Sequence, residues 1–233
     1  MDPLYADLHI HSCLSPCADE DMTPANICAM AALKGLQLIA VTDHNSGLNL
    51  PGAKEAADSN GLILIPGIEV TTREEVHLLA YFARVLDAVE FGRMLRGHLP
   101  KAKNRPALFG SQIVMDGEDN AVGEEDALLI GATDLPLDQL VALIRERGGV
   151  PVPAHINRGA NGLLINLGFV PPALNLSAVE VWRDLPCPAA PKENRVVLHS
   201  SDAHHLGDIL EPEVLVELPN ATPEAFLQFL RGG

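Results

Sequence analysis

The chain reads as an α/β protein of the TIM-like barrel kind, and three observations carry that reading. Buried-looking apolar runs alternate with helix-forming segments along 233 residues. Seven such runs can be counted, near 4–10, 37–42, 62–70, 76–82, 149–154, 177–182 and 195–200, one short of the common eight-stranded barrel. Ligand-type side chains close several of them. His9 and His11 end YADLHIH, Asp43 and His44 end LIAVTDH, Glu69 ends LILIPGIE, His155 ends GVPVPAH, and Asp202 and His204 follow VVLHSS. In a parallel barrel those ends open onto one face, which is where such folds place chemistry.

The elements follow in order. YADLHIH is the first strand. Thr23 then caps a helix that carries Pro24 at its first position and stops at Gly35. LQLIAVTDH is the second strand, a helix from Gly52 to Ser59 follows, and LILIPGIEV is the third strand. The next run, EVHLLAYF, carries His77 near its start, eight residues after Glu69, with no room for a crossover helix. A tight reversal is expected, returning His77 beside Glu69. Leu86 to Leu99 reads as a helix. Residues 100–132 hold two short apolar pieces around an acidic, glycine-containing middle, read as a loop or hairpin insertion that shapes the pocket as a lid would. Asp134 to Arg147 is an amphipathic helix with Leu137, Leu140, Val141 and Ile144 on one stripe. VPVPAH, SAVEVW and RVVLHSS are the last three strands, and PEAFLQFL is a C-terminal helix after Thr222–Pro223. No repeat or linker interrupts the chain, so residues 1–233 are expected to form one barrel domain.

Composition narrows the function classes. An apolar fraction of 47% with 20% charged residues is ordinary for a soluble enzyme. No run reaches membrane-spanning length, and no basic-then-apolar segment opens the chain, so a cytoplasmic protein is expected. The formal net charge of −15 argues against broad contact with long nucleic acid, which needs many cations on phosphates. It leaves room for a small phosphorylated substrate, because bound divalent ions would dominate the local field. The four cysteines lack the paired CxxC spacing of a structural zinc site, and a disulfide is not expected in a reducing compartment. Cys28 reads as core, whereas Cys13 and Cys17 flank the first strand end.

His9-x-His11 places two imidazoles on one strand face, and Asp202-x-His204 repeats the spacing near the last strand end. Alone, an HxH pair is as readily a chance pair as a site. Glu69 adds a carboxylate able to bridge two ions, and His44, His77 and His155 add further imidazoles. Separate core or surface histidines would have to explain why so many of the nine gather at strand ends, where an unpartnered ring pays desolvation. A metal cluster explains it. Asp43 is read as orienting a ligand rather than being one. Arg158 is a candidate to hold a phosphate oxygen, against the plain alternative of a surface arginine. Arg73 and Arg183 are poorer candidates. His199 is either a proton donor near the site or packing; His98 and His205 read as surface.

DLHIHS, VTDHNS, GIEVTT, VHLLAYF, PAHINR and SSDAHHLGDI, in this order from residue 5 to about 209, resemble the PHP (polymerase and histidinol phosphatase) superfamily of metal-dependent phosphoesterases. The resemblance implies a distorted seven-stranded barrel with two or three divalent ions, manganese, zinc, iron or magnesium. It assigns His9, His11, Glu69 and Asp202 to one ion, and Glu69, His77 and His155 to a second. His44, His204 and a residue of the first loop go to a third. The family often reads HSxxSDG, whereas this chain reads HSCLSPC, with Pro16 where the aspartate stands. Cys17, Asp19 and Asp21 are the candidate replacements. Cys17 would be a soft ligand favouring zinc or iron.

Three functions follow as alternatives. The first is hydrolysis of a phosphomonoester or small nucleotide, or a sugar phosphate, by a metal-activated hydroxide, with Arg158 on the phosphate and His199 among the candidate proton donors. The second is an amidohydrolase-like C–N hydrolase. Such enzymes usually add a mid-barrel lysine, and none lies between Lys103 and Lys192. The third is a non-catalytic barrel that binds metal or nucleotide.

Overall fold

The computed structural model describes residues 2–187 and 195–232. The chain begins with β1 (Asp2–Ile10), α1 (Pro24–Leu33), β2 (Leu38–Val41), α2 (Leu50–Ser59) and β3 (Ile63–Thr71). The Thr23 side chain accepts from the backbone N–H of Asn26 and so caps α1, as its sequence requires. β4 (His77–Tyr81) and α3 (Val85–Arg96) follow. α4 (Pro106–Phe109), β5 (Ile113–Met115) and β6 (Ala121–Glu124) occupy the insertion. α5 (Leu137–Glu146), β7 (Val150–Pro153), α6 (Leu163–Leu167), β8 (Ala178–Glu180) and β9 (Val196–Leu198) lead to β10 (Leu215–Leu218) and α7 (Pro223–Leu230).

The fold is mixed α/β around a curled, half-barrel sheet. All seven expected runs contain strands, but they do not share one hydrogen-bonded ladder. Six strands pair in the order β10-β1-β2-β3-β4-β7, while β8 and β9 pair in parallel with each other. An isolated parallel bridge between Ile10 and Ala203 joins the segment after β9 to β1. β10 was absent from the sequence reading; it pairs antiparallel with Asp2–Tyr5. Its burial alternates along LVEL, so only Val216 and Leu218 reach the core. β4 runs antiparallel to both neighbours, with His77 opposite Thr71. Residues 72–76 make the expected tight reversal, closed by the Glu75 N–H donating to the Thr72 carbonyl at 2.9 Å.

The two sheet faces bury different cores. One face carries Leu4, Ala6, Leu8, Leu38, Ala40, Ile65, Leu79, Tyr81 and Val152, closed off by Phe226 and Leu230 of α7. The other carries Ile10, Ile39, Val41, Leu64 and Leu78 against the helices. β1 changes phase between them. Asp7 pairs with Ile39 and Ile10 with Val41, so three steps along β1 match two along β2. This one-residue bulge puts Leu8 on the α7 side and Ile10 on the helix side. His9 and His11 therefore emerge above the Leu4–Leu8 floor. The Tyr81 hydroxyl, buried in that floor, donates to the Leu8 carbonyl at 2.7 Å.

Within residues 100–132, β5 runs antiparallel to β6. It packs on the first loop through the Ile113 N–H, which donates to the Cys13 carbonyl at 3.0 Å. Gly110, at φ +99°, lies so close to Pro16 that a Cβ there would stand 2.0 Å from the Pro16 carbonyl oxygen. No described helix is long and apolar enough to cross a membrane.

Candidate metal centre

Glu69 stands at the centre of the polar cluster. β3 carries it on the same parity as Ile65, above the α7-side core, and it is 1% exposed. Five histidine nitrogens surround its carboxylate. Nδ1 of His77 lies 2.9 Å away, Nδ1 of His44 3.1 Å, Nε2 of His9 and of His155 3.3 Å, and Nε2 of His11 3.4 Å. Asp202 closes the other side, its Oδ1 3.4 Å from Nε2 of His9 and 3.2 Å from Nε2 of His11.

The structure thus brings nearly all the expected ligands together. His9, His11, Glu69 and Asp202 each offer an atom within 4.8 Å of the others, as do His44, Glu69 and His77, and His11, His44 and His204. His44 belongs to two of these groups. His155 reaches Glu69, and its ring packs edge-on to His77 with centroids 5.3 Å apart. Cys17 lines the same cavity, of about 480 Å³, with His44, His77, His155 and His204, although it falls outside the three tight groups. Asp19 faces His205 at 3.6 Å, and Asp21 is exposed. Arg158 reaches the cluster from its rim: Nη1 pairs with Oδ2 of Asp202, and its guanidinium carbon lies 4.1 Å from the centroid of the Trp182 ring. His199 is not brought in; its Nδ1 lies 2.8 Å from the Val181 carbonyl, and it lines neither cavity at the cluster. His98 pairs with Asp134 at 2.7 Å on the surface.

Further residues orient the cluster. Asp43 accepts from the N–H of Ser12 at 2.7 Å and from the hydroxyl of Ser15, also at 2.7 Å; Ser15 Oγ in turn lies 3.0 Å from Nδ1 of His11. Asp43 thus reaches His11 through Ser15. Two more carboxylates escaped the sequence reading. Glu180, 2% exposed on β8, lies 3.0 Å from Nδ1 of His9 and accepts the backbone N–H of His155 at 2.8 Å. Its signal was a lone charge inside SAVEVW. Asp7, fully buried, accepts the backbone N–H groups of Ser201 at 3.0 Å and Leu210 at 2.9 Å, tying β1 to the segment that carries Asp202. His155 and Asp202 themselves sit at positive φ, +26° and +52°, a backbone region that non-glycine residues adopt at a cost.

The electrostatics follow from the packing. Burial opposes charge on His11, yet the Asp202 and Glu69 oxygens outweigh it and raise the ring to about 9. His9 is likewise desolvated but raised well above its usual value by Glu180, Glu69 and Asp202. Burial and the nearby His11 charge drive His204 down to about 4, and His44 well below its usual value. Against its own desolvation, Glu69 is held well below the carboxylate range by His77 and His9.

Divalent cations fit this donor set. Both Glu69 oxygens and Nδ1 of His44 and of His77 are buried and make no hydrogen bond within the protein. Such groups are costly to bury unpartnered, and a cation satisfies a carboxylate and neutral imidazoles together. Imidazole and carboxylate ligands suit zinc, iron and manganese.

Comparison with known proteins gives the chain a family and a fold. A family model for the PHP domain matches residues 7–151. Over 78 residues the chain is 33% identical to the 5′-3′ exoribonuclease Rnm of Salmonella typhimurium, covering 31% of this chain and 26% of that protein. Over 81 residues it is 32% identical to the phosphoribosyl 1,2-cyclic phosphate 1,2-diphosphodiesterase of Eggerthella lenta, covering 33% of this chain and 30% of that protein. The matched parts are thus less than a third of either relative. The lesion-specific endonuclease Q of Pyrococcus furiosus superimposes with a TM-score of 0.73 at 19% identity, over 99% of this chain and 56% of that one, a likeness of fold. The family match spans more than half of the sequence and includes the strand ends that carry His9, His11, His44, Glu69 and His77, and so the chain belongs to the PHP domain family.

Proposed function

We propose that the chain is a metal-dependent phosphoesterase that hydrolyses a small phosphorylated substrate at a two- or three-ion site. The observation that carries this reading is Glu69, a buried carboxylate ringed by five histidine nitrogens and free of any hydrogen bond. His9, His11, Glu69 and Asp202 would hold one ion, Glu69, His77 and His155 a second, and His44 and His204, with Cys17 from the first loop, a third. When bound, such ions supply Lewis acidity to a phosphoryl group and a water nucleophile reactive near neutral pH.

The chain's own residues do the rest. Asp43 through Ser15, and Glu180 directly, fix the rings of His11 and His9, so the ligands are pre-oriented. Arg158 spends one donor on Asp202 and keeps others for a phosphate oxygen at the cavity rim. His199 is tied to the Val181 carbonyl, so we assign it positioning of β9 rather than proton donation. Residues 1–233 act as one barrel unit in this reading, the segment after the β5–β6 hairpin contributing Ile130 to the cavity wall.

The relatives named above cleave an RNA, a cyclic phosphate and lesion-bearing nucleic acid, all of them phosphodiesters, so a diester stands beside the monoester as the candidate bond. With a net charge of −15, a small ester or a strand terminus is favoured over a long duplex. Among the described residues no lysine lines either cavity beside the cluster, which leaves the C–N hydrolase reading without support from its usual ligand. The test is metal analysis of the purified protein, then assay with Mn²⁺ or Zn²⁺ on a nucleoside monophosphate and on a 5′-labelled trinucleotide. Metal-dependent cleavage of either, abolished in a folded Asp202→Ala protein, is expected. Undiminished turnover in that variant would refute the reading.

A further inference from the structure

Beside the histidine cluster lies a second cavity of about 510 Å³ that shares Arg158, Asp202 and His204 with it. Three properties decide what it fits. First, it has an aromatic wall, the Trp182 indole held against Arg158. Second, among the described residues it has no spare positive charge beyond that shared border. The other arginine among them that lines it is Arg183, whose Nη1 is paired with Glu213 at 2.6 Å, while Asp184 and Asp208 add two carboxylates. A second phosphate is disfavoured there. Third, Ser200 lines the cavity with a buried hydroxyl that makes no hydrogen bond in the protein, which leaves a polar partner wanted at that wall.

We propose that this cavity is the leaving-group subsite and that it holds a nucleoside. The phosphate sits at the histidine cluster, the planar base packs against the Arg158–Trp182 wall, and the Ser200 hydroxyl and the two carboxylates meet base and ribose donors. The proposal rests on the phosphoesterase reading and names its substrate class as nucleoside phosphoesters. In the reaction water adds to phosphorus and the P–O bond to the nucleoside breaks. The nucleoside leaves as an alcohol carrying a proton from that water. A plain sugar phosphate would leave the indole unused.

Trp182 is the chain's single tryptophan, so its fluorescence reports this cavity directly. The experiment titrates adenosine 5′-monophosphate and ribose 5-phosphate into the metal-loaded protein and measures kcat/KM for both. The nucleotide should quench the emission, the sugar phosphate should not, and kcat/KM should favour the nucleotide at least tenfold. Trp182→Ala should collapse that preference roughly tenfold to a hundredfold, through KM for the nucleotide, and Trp182→Phe should keep most of it. Equal kcat/KM for the two probes, or no quenching at saturating nucleotide, overturns the subsite. Quenching without turnover of either probe or of a 5′-labelled trinucleotide supports the subsite and overturns the phosphoesterase reading instead.

Discussion

Glu180 lies 3.0 Å from Nδ1 of His9, while Nε2 of the same ring faces Glu69 and Asp202 at 3.3 and 3.4 Å. One imidazole is thus held from behind by a carboxylate that also takes the His155 N–H. Glu180→Gln keeps the size and removes the charge. It should weaken metal affinity by roughly tenfold to a hundredfold without unfolding the protein. Competition against a chromophoric chelator measures this, and wild-type affinity in the variant would contradict it.

The histidines set a pH profile for the metal-free protein with two falling sides. His9 and His11 are raised, so their contribution is complete below about pH 6.5 and is lost as pH climbs toward 9. His44 and His204 are lowered, so stability is lost as pH falls from 6.5 toward 4 and these rings are forced to accept protons. Melting temperatures in chelator should peak near pH 6.5. Added Mn²⁺ or Zn²⁺ should flatten the alkaline side, because the ions take neutral imidazoles. A melting temperature that keeps rising from pH 6.5 to 9 in chelator would rule this out.

Asp7 is the pin between β1 and the Asp202 segment. Asp7→Ala strands the Ser201 and Leu210 N–H groups, at roughly 1–3 kcal/mol for each buried donor left unpartnered. Urea denaturation should show that loss, and metal affinity should drop with it because Asp202 and His204 lose their anchor. Lost stability with intact affinity would confine Asp7 to the fold.

Phe226 gives the opposite pattern. It is fully buried on α7, edge-on to Tyr81 with centroids 5.6 Å apart. Phe226→Ala should cost about 3–5 kcal/mol, read by urea denaturation. Metal stoichiometry in the folded fraction should stay unchanged, since α7 lies on the far side of the sheet core from the ligands. A variant that folds with wild-type stability but binds fewer ions would reverse that assignment.

The sequence was most informative where chemistry coincides with the end of an apolar run. His9, His11, His44, Glu69, His155 and Asp202 all announce themselves in that way, and His77 follows from the shortness of its connection. Glu180 did not, because β8 spans only Ala178–Glu180 and a single charge in so short a run resembles a strand edge. β10 was hidden for a related reason: half of LVEL faces solvent and its surroundings are acidic. His199 shows the converse. Its place after a strand suggested the site, but ring direction is set by a hydrogen bond to Val181 that no local pattern encodes. Positive φ at His155 and Asp202 is likewise a tertiary imposition on residues whose sequence context looks extended.

The bulge in β1 means that the meaning of odd and even positions changes partway along one strand. Upstream of it even residues build the floor; downstream odd residues carry the imidazoles. Pairing the same letters in regular register, without the bulge, would leave every side chain of DLHIHS in the protein yet exchange the destinations of histidine and isoleucine. A copy of this motif spliced into a regular strand would present the same letters and bury the wrong ones. What is inherited at this site is therefore a spacing irregularity as much as a set of ligands.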